Sequence, residues 1–118
     1  MQEVSPAGQL ESLQSMQSTI RKLEAALTQM TQSGASTTLV AKRLRAVNIG
    51  LAVLDKAWQL KPHSYTPADC AEAREVINGL IVSVKQSYTK AKPGSPQQTL
   101  LSRRLTAFEQ VIEAMNDL

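Results

Sequence analysis

Basic residues near two predicted helix starts are the strongest candidates for binding chemistry in this sequence. A seven-residue pattern occurs twice, as TLVAKRL at 38–44 and as TLLSRRL at 99–105, 61 residues apart. Each copy is expected to open a helix and to place basic side chains within about two turns of its N-terminus. These side chains are Lys42, Arg43, Arg103 and Arg104.

Two interpretations of these basic residues remain open. The helix dipole favours acidic residues near a helix start, so stability alone does not account for arginine there. Free backbone N–H groups at a helix start bind anions, and neighbouring arginines and Ser or Thr hydroxyls would complete a phosphate or carboxylate site. Alternatively, the residues lie on solvated helix faces, where their aliphatic stems cover the edge of the core.

The charge pattern supports a basic surface at one end of the molecule. Residues 25–54 and 76–108 contain no acidic residue and eight basic ones, although the whole chain carries a net charge of only +3. If the two windows meet at one end of a helical fold, that end is a basic pole. The candidate binding residues at the pole are Lys42, Arg43, Arg45, Lys90, Lys92, Arg103 and Arg104.

The other reactive residues do not form a catalytic or metal-binding pattern. His63 is the only histidine and lies in a proline-flanked loop. Cys70 is the only cysteine; a helix N-terminus would lower its pKa, but neighbouring Asp69 and Glu72 oppose that effect. The acidic residues at 69, 72 and 75 lack the Glu-x-x-His pairs of di-iron bundles. We therefore predict no catalytic residue, no metal site and no cofactor.

The few aromatic residues limit the ways in which nucleic acid could bind. One Trp, two Tyr and one Phe provide no stacking platform for single-stranded nucleic acid, so any such contact would depend on phosphate charge and on salt. Trp58 and Tyr65 flank the central connection of the chain. They are expected to pack at the end of the fold, with a pocket for a ligand or partner as the alternative.

Local signals predict four helices that would position these residues. Cap-plus-proline pairs at Ser5-Pro6, Thr66-Pro67 and Ser95-Pro96 predict helix starts. Gly34, Pro62 and the Pro93-Gly94 pair predict breaks. Between them, apolar residues recur at alternating spacings of four and three, which is typical of amphipathic helices. The second helix shows this stripe at Val40, Leu44, Val47, Leu51, Leu54 and Trp58.

The two halves of the chain resemble each other. Residues 5–57 align without a gap against 66–118 and give ten identities in 53 pairs. We interpret this as tandem duplication of an αα-hairpin, with repeat 1 at about 5–60 and repeat 2 at about 66–118. Short loops favour an antiparallel up-down-up-down four-helix bundle. Two hairpins that open and pair with a second chain are the alternative.

Composition indicates one folded domain over residues 1–118. An apolar content of 42% and a charged content of 19% exclude disorder, and no apolar run has the length of about 20 residues that a membrane span needs. The N-terminus resembles no secretory signal and the cysteine has no partner in the chain, so a cytoplasmic location is expected.

The functional prediction is correspondingly broad. We expect a non-enzymatic protein that acts by protein–protein interaction, as an adaptor, a regulator or an immunity-type protein, with another protein or a second copy as its partner. The chain is similar in size, basicity and architecture to small bacterial immunity proteins, a resemblance at the level of the fold alone. The first alternative is binding of nucleic acid or another polyanion through the basic pole. An unidentified enzymatic role is the second.

Overall fold

Four helices account for most of the chain. A computed structural model describes residues 3–118, and within that range the regular elements are all α-helices. They are α1 (Pro6–Ser33), α2 (Thr38–Gln59), α3 (Pro67–Lys90) and α4 (Pro96–Asn116). The prediction of an all-α fold with four helices is confirmed.

The predicted cap-plus-proline signals begin three of the helices. The hydroxyls of Ser5 and Ser95 accept hydrogen bonds from the backbone N–H groups of Gly8 and Gln98, at 3.1 and 3.2 Å. At the start of α3, the Thr66 hydroxyl accepts from the Asp69 N–H at 3.1 Å, and the Asp69 carboxylate accepts from the Thr66 N–H at 2.9 Å. This reciprocal capping box satisfies two backbone donors that a helix start otherwise leaves unpaired.

The helix ends combine expected and unexpected features. Gly34 follows α1 with φ of 76°, a left-handed conformation that glycine adopts without steric cost. Leu60 ends α2 in the same conformation, with φ of 57°, although it carries a branched side chain that is 85% exposed. Proline at position 62 marked the end of α2 in the sequence but did not indicate which residue would take the strained conformation.

All four helices meet at Gly50, in the middle of α2. A Cβ atom at this position would lie 3.1 Å from the Met16 Cε of α1, 3.1 Å from the Ile77 Cδ1 of α3 and 3.2 Å from the Val111 Cγ1 of α4. These three neighbours are themselves fully buried. The missing side chain therefore allows α2 to approach three helices at once.

Burial decreases from this centre towards the two hairpin turns. In α1, residues 12, 13, 16 and 19 are buried, whereas residues 21–33 are exposed or only partly buried. The molecule measures 41 × 37 × 20 Å, and two parallel helices side by side account for only about 20 Å of width, so the helix axes are inclined to one another.

The contacts between helices leave one gap. Within residues 3–118, no Cα atom of α1 lies within 8 Å of a Cα atom of α3, whereas every other pair of helices approaches that closely. The gap between α1 and α3 lies above the contact between α2 and α4.

We predict that Gly50→Val lowers the free energy of unfolding by about 2 kcal/mol, because overpacking a well-filled core costs roughly 1–3 kcal/mol. Gly79→Ala on α3 is the matched control. No atom lies within 4 Å of a Cβ at Gly79, so alanine should stabilise the helix by about 0.8–1 kcal/mol. Urea unfolding measures both values. Equal stability of the two variants would show that Gly50 is not a packing constraint.

Candidate binding site

A cleft opens in the gap between α1 and α3 and has a volume of about 210 Å³. All four helices contribute to it, and we call it the central cleft. Buried Val84, Leu101 and Phe108 form its inner wall, together with partly buried Leu23 and Leu80. The polar lining consists of Thr19, Lys22, Arg43, Ser83, Ser87 and Arg104. Among the described lining residues, three are cations and none is a carboxylate.

Arg104 is the most unusual cation in the cleft. Its side chain is half-buried, and its Nε is enclosed with no hydrogen-bond partner among the described residues. Burial lowers the pKa of this guanidinium group, although arginine in a protein remains charged at neutral pH. A partly desolvated N–H group without an acceptor is unfavourable, so an anion beside Arg104 would be stabilising.

Two larger hollows adjoin the cleft. The first, the Leu39 hollow, has a volume of about 290 Å³ and shares Arg43 with the central cleft. The second, the Leu100 hollow, has a volume of about 470 Å³ and shares Arg104 with it. Leu39 and Leu100 are 58% and 53% exposed. We define the leucine–arginine face as Leu39, Arg43, Lys22, Arg104 and Leu100, in that order across the surface.

Two of the predicted basic residues are paired within the molecule. Arg45 Nη2 lies 2.9 Å from Asp69 Oδ1, and Arg103 Nε lies 3.6 Å from Glu11 Oε1. Both acids lie outside the two acid-free windows of the sequence. The helix contacts instead place each one beside a basic residue of a neighbouring helix. Acid-free windows describe the order of charges along the sequence and do not include acidic residues contributed by a neighbouring helix.

The other predicted residues are distributed unevenly. Lys42 lies in hollows that also contain Glu72 and Glu75, so its charge is partly balanced. Lys90 and Lys92 are exposed near the turn between α3 and α4 and line none of the hollows described above. Of the seven predicted residues, the structure therefore brings only Arg43 and Arg104 into the central cleft.

Lys22 is the residue that sequence reasoning missed. It lies outside the acid-free windows because Glu24 follows two positions later. Residues two apart on a helix point in nearly opposite directions, so Glu24 does not accompany Lys22 into the cleft. A helical projection of α1, rather than a linear count of charges, would have identified Lys22.

The other reactive side chains, His63 and Cys70, make contacts typical of structural residues. The His63 Nδ1 accepts a hydrogen bond from the Tyr65 N–H at 3.1 Å, and the two rings pack 5.6 Å apart. Burial raises the pKa of the Cys70 thiol, Asp69 raises it further, and Lys56 opposes the shift. The thiol is therefore less reactive than an exposed one. Trp58 and Tyr65 pack against the core.

Residues 3–118 contain no group of three or more His, Cys, Asp or Glu side chains placed to hold a metal ion. No helix in that range has the length and apolarity needed to cross a bilayer.

Comparison with known proteins does not place the chain in a family: no family model matches it, and neither does any curated protein or solved structure. The function must therefore be argued from the leucine–arginine face and the central cleft.

We predict that the contribution of Asp69 to stability depends on pH. The hydrogen bond from the Thr66 backbone N–H lowers the pKa of Asp69 below its usual 3.8, and the Thr66 hydroxyl and Arg45 add to this effect against burial. The folded state therefore favours the carboxylate, and this stabilisation is lost as the pH falls through the lowered pKa.

Asp69→Asn should accordingly reduce the free energy of unfolding at pH 7 but change this free energy little at about pH 2. Chemical unfolding across this range measures the effect. Glu72→Gln, one turn later on the same helix, is the control, since no hydrogen bond or ion pair of Glu72 is described. A constant difference between wild type and Asp69→Asn at all pH values would contradict the prediction.

Proposed function

We propose that this protein is a non-enzymatic binding protein that acts by protein–protein interaction through the leucine–arginine face. The observation that carries the proposal is the exposure of Leu39 and Leu100, 58% and 53%, at the same position of the repeated pattern. Each leucine is followed four residues later by an arginine of the central cleft. Residues four apart share one face of a helix, so each leucine and its arginine form one contact unit.

The chemistry of the face indicates the kind of partner. Exposed leucine side chains gain free energy when a partner buries them. Arginine is enriched at the centres of protein interfaces because its planar donor group pairs with carboxylates. The proposed partner therefore presents apolar pockets for the two leucines, with acidic side chains between them. A role as adaptor, regulator or immunity-type protein is compatible with such a contact.

We also propose the finer architecture, an up-down-up-down bundle made of two repeated αα-hairpins. Exchanging the two halves converts the α1–α2 contact into the α3–α4 contact and the α2–α3 contact into the α4–α1 contact, and all four contacts occur. Six aligned pairs of apolar residues or glycine are also buried in both halves. These pairs are Met16/Ile77, Ala46/Ala107, Val47/Phe108, Gly50/Val111, Val53/Ala114 and Leu54/Met115.

A cytoplasmic location completes the proposal. The support is limited to Cys70, a single buried and unpaired cysteine, which is compatible with a reducing compartment.

Polyanion binding remains the alternative, with weaker support. Nucleic-acid affinity grows with the number of unpaired cations that reach phosphates. The ion pairs of Arg45 with Asp69 and of Arg103 with Glu11 occupy two of the seven residues of the predicted pole. An enzymatic role has no arrangement of side chains in its favour.

We predict that Leu39→Ser combined with Leu100→Ser weakens partner binding by roughly 30- to 150-fold, because losses of about 1–1.5 kcal/mol of apolar contact per leucine add. Partners captured from extract of the source cell by wild type are identified, purified and titrated against the variants. Val82→Ser is the matched control, because Val82 is 55% exposed on α3 and lies outside the face. If the double variant binds as tightly as wild type, the face is not the interface.

The alternatives give different results. We expect no retention on nucleic acid or heparin at about 50 mM salt; salt-sensitive retention lost on Arg43→Glu with Arg104→Glu would favour a polyanion instead. Sedimentation of the purified chain tests self-association. A dimer that Leu39→Ser with Leu100→Ser dissociates would identify a second copy as the partner.

A further inference from the structure

We propose that the central cleft binds a small amphipathic anion, in which one carboxylate or phosphate group is attached to a short hydrocarbon body. This ligand site shares Arg43 and Arg104 with the proposed protein contact, but ligand binding there requires no partner protein. The cleft is formed by four helices and has two chemically different parts.

The polar part of the cleft is suited to one anionic group. Lys22, Arg43 and Arg104 bring three positive charges to it without a carboxylate among the described lining residues. The enclosed Nε of Arg104 has no acceptor. Guanidinium groups bind carboxylate and phosphate oxygens through paired N–H donors. The hydroxyls of Ser83 and Ser87 are further donors within the lining.

The apolar part of the cleft is suited to a hydrocarbon body. Val84, Leu101 and Phe108 are 7%, 5% and 1% exposed, so the inner wall is continuous with the core. An inorganic anion would leave this wall in contact with water, whereas a hydrocarbon chain would displace that water. A ligand with both parts therefore uses the cleft better than either part alone.

The size of the cleft limits the ligand. A volume of 210 Å³ corresponds to about seven water molecules at roughly 30 Å³ each. An apolar cavity of about 150 Å³ is known to accept benzene. A body of about six carbon atoms is thus the appropriate size, and a polymer or a long acyl chain would extend beyond the cleft.

Titration of the purified protein with hexanoate and hexyl phosphate tests the proposal, with amide NMR shifts as the readout. Hexanol and inorganic phosphate are the single-part controls. We expect saturable binding of at least one amphiphile, at least tenfold tighter than either control, with shifts concentrated around residues 19–23, 83–87 and 101–108. The relative affinity of hexanoate and hexyl phosphate identifies the preferred anionic group.

Variants separate the contributions of charge and space. Arg43→Gln and Arg104→Gln should each weaken the amphiphile at least tenfold without weakening hexanol. Ser83→Phe, at an exposed helix position that lines the cleft, should block binding with all three cations retained. Lys85→Gln is the charge control, since Lys85 is exposed on α3 outside the cleft lining. Amide dispersion checks that each variant is folded.

Three results would overturn the proposal. Hexanol binding as tightly as hexyl phosphate would show that the cations contribute nothing to affinity. Inorganic phosphate binding as tightly as hexyl phosphate would show that the apolar wall contributes nothing to affinity. No saturable binding of either amphiphile below about 10 mM, an affinity weaker than that of typical small-molecule sites, would exclude the site. These results use no partner protein, so they leave the proposed interface to its own test.

Discussion

The close approach of α2 to the other three helices at Gly50 is the constraint on which the rest of the fold depends. Glycine within a helix costs roughly 1 kcal/mol relative to alanine, so its position there requires compensation from packing. The compensation is direct contact with Met16, Ile77 and Val111, all of which are fully buried. The backbones of α1 and α3 remain farther apart than those of α2 and α4, and the central cleft lies between them. The packing that stabilises the core thus also creates the candidate site.

Proposed duplication gives this centre a further meaning. Gly50 aligns with Val111 and Met16 aligns with Ile77, so the four residues that meet at the centre are two equivalent pairs. Identical residues at 50 and 111 would not pack well here: two valines would overfill the space, and two glycines would leave a cavity that costs stability. A glycine on one helix and a valine on the other fill the space without overlapping. The difference between the halves at this pair thus suits an arrangement in which equivalent positions face each other.

Local features of this fold could be read from the sequence, whereas relations between helices could not. Ser5, Thr66 and Ser95 begin helices because a cap and a following proline act within one turn of chain, and the same holds for Gly34 at a helix end. The role of Gly50 depends on three residues far away in sequence, so the hydrophobic periodicity alone did not predict close helix packing at this position. For the same reason, linear charge windows overestimated the basic pole, because Asp69 and Glu11 approach Arg45 and Arg103 from neighbouring helices. The windows also omitted Lys22, which comes together with Arg43 and Arg104 only in the folded structure.

The two proposed binding modes use some of the same charges, so binding of one ligand should weaken binding of the other. Arg43 and Arg104 lie between Leu39 and Leu100 on the face proposed for a protein partner, and they also line the central cleft. An anion held in the cleft would neutralise the charge that attracts acidic side chains of the partner. Linkage requires the reverse effect to have the same size, so an acidic partner would equally weaken the small anion. A partner that inserts its own carboxylate between the two arginines would compete with the anion for the guanidinium groups of Arg43 and Arg104. These shared groups therefore make the two forms of occupancy alternatives rather than independent events.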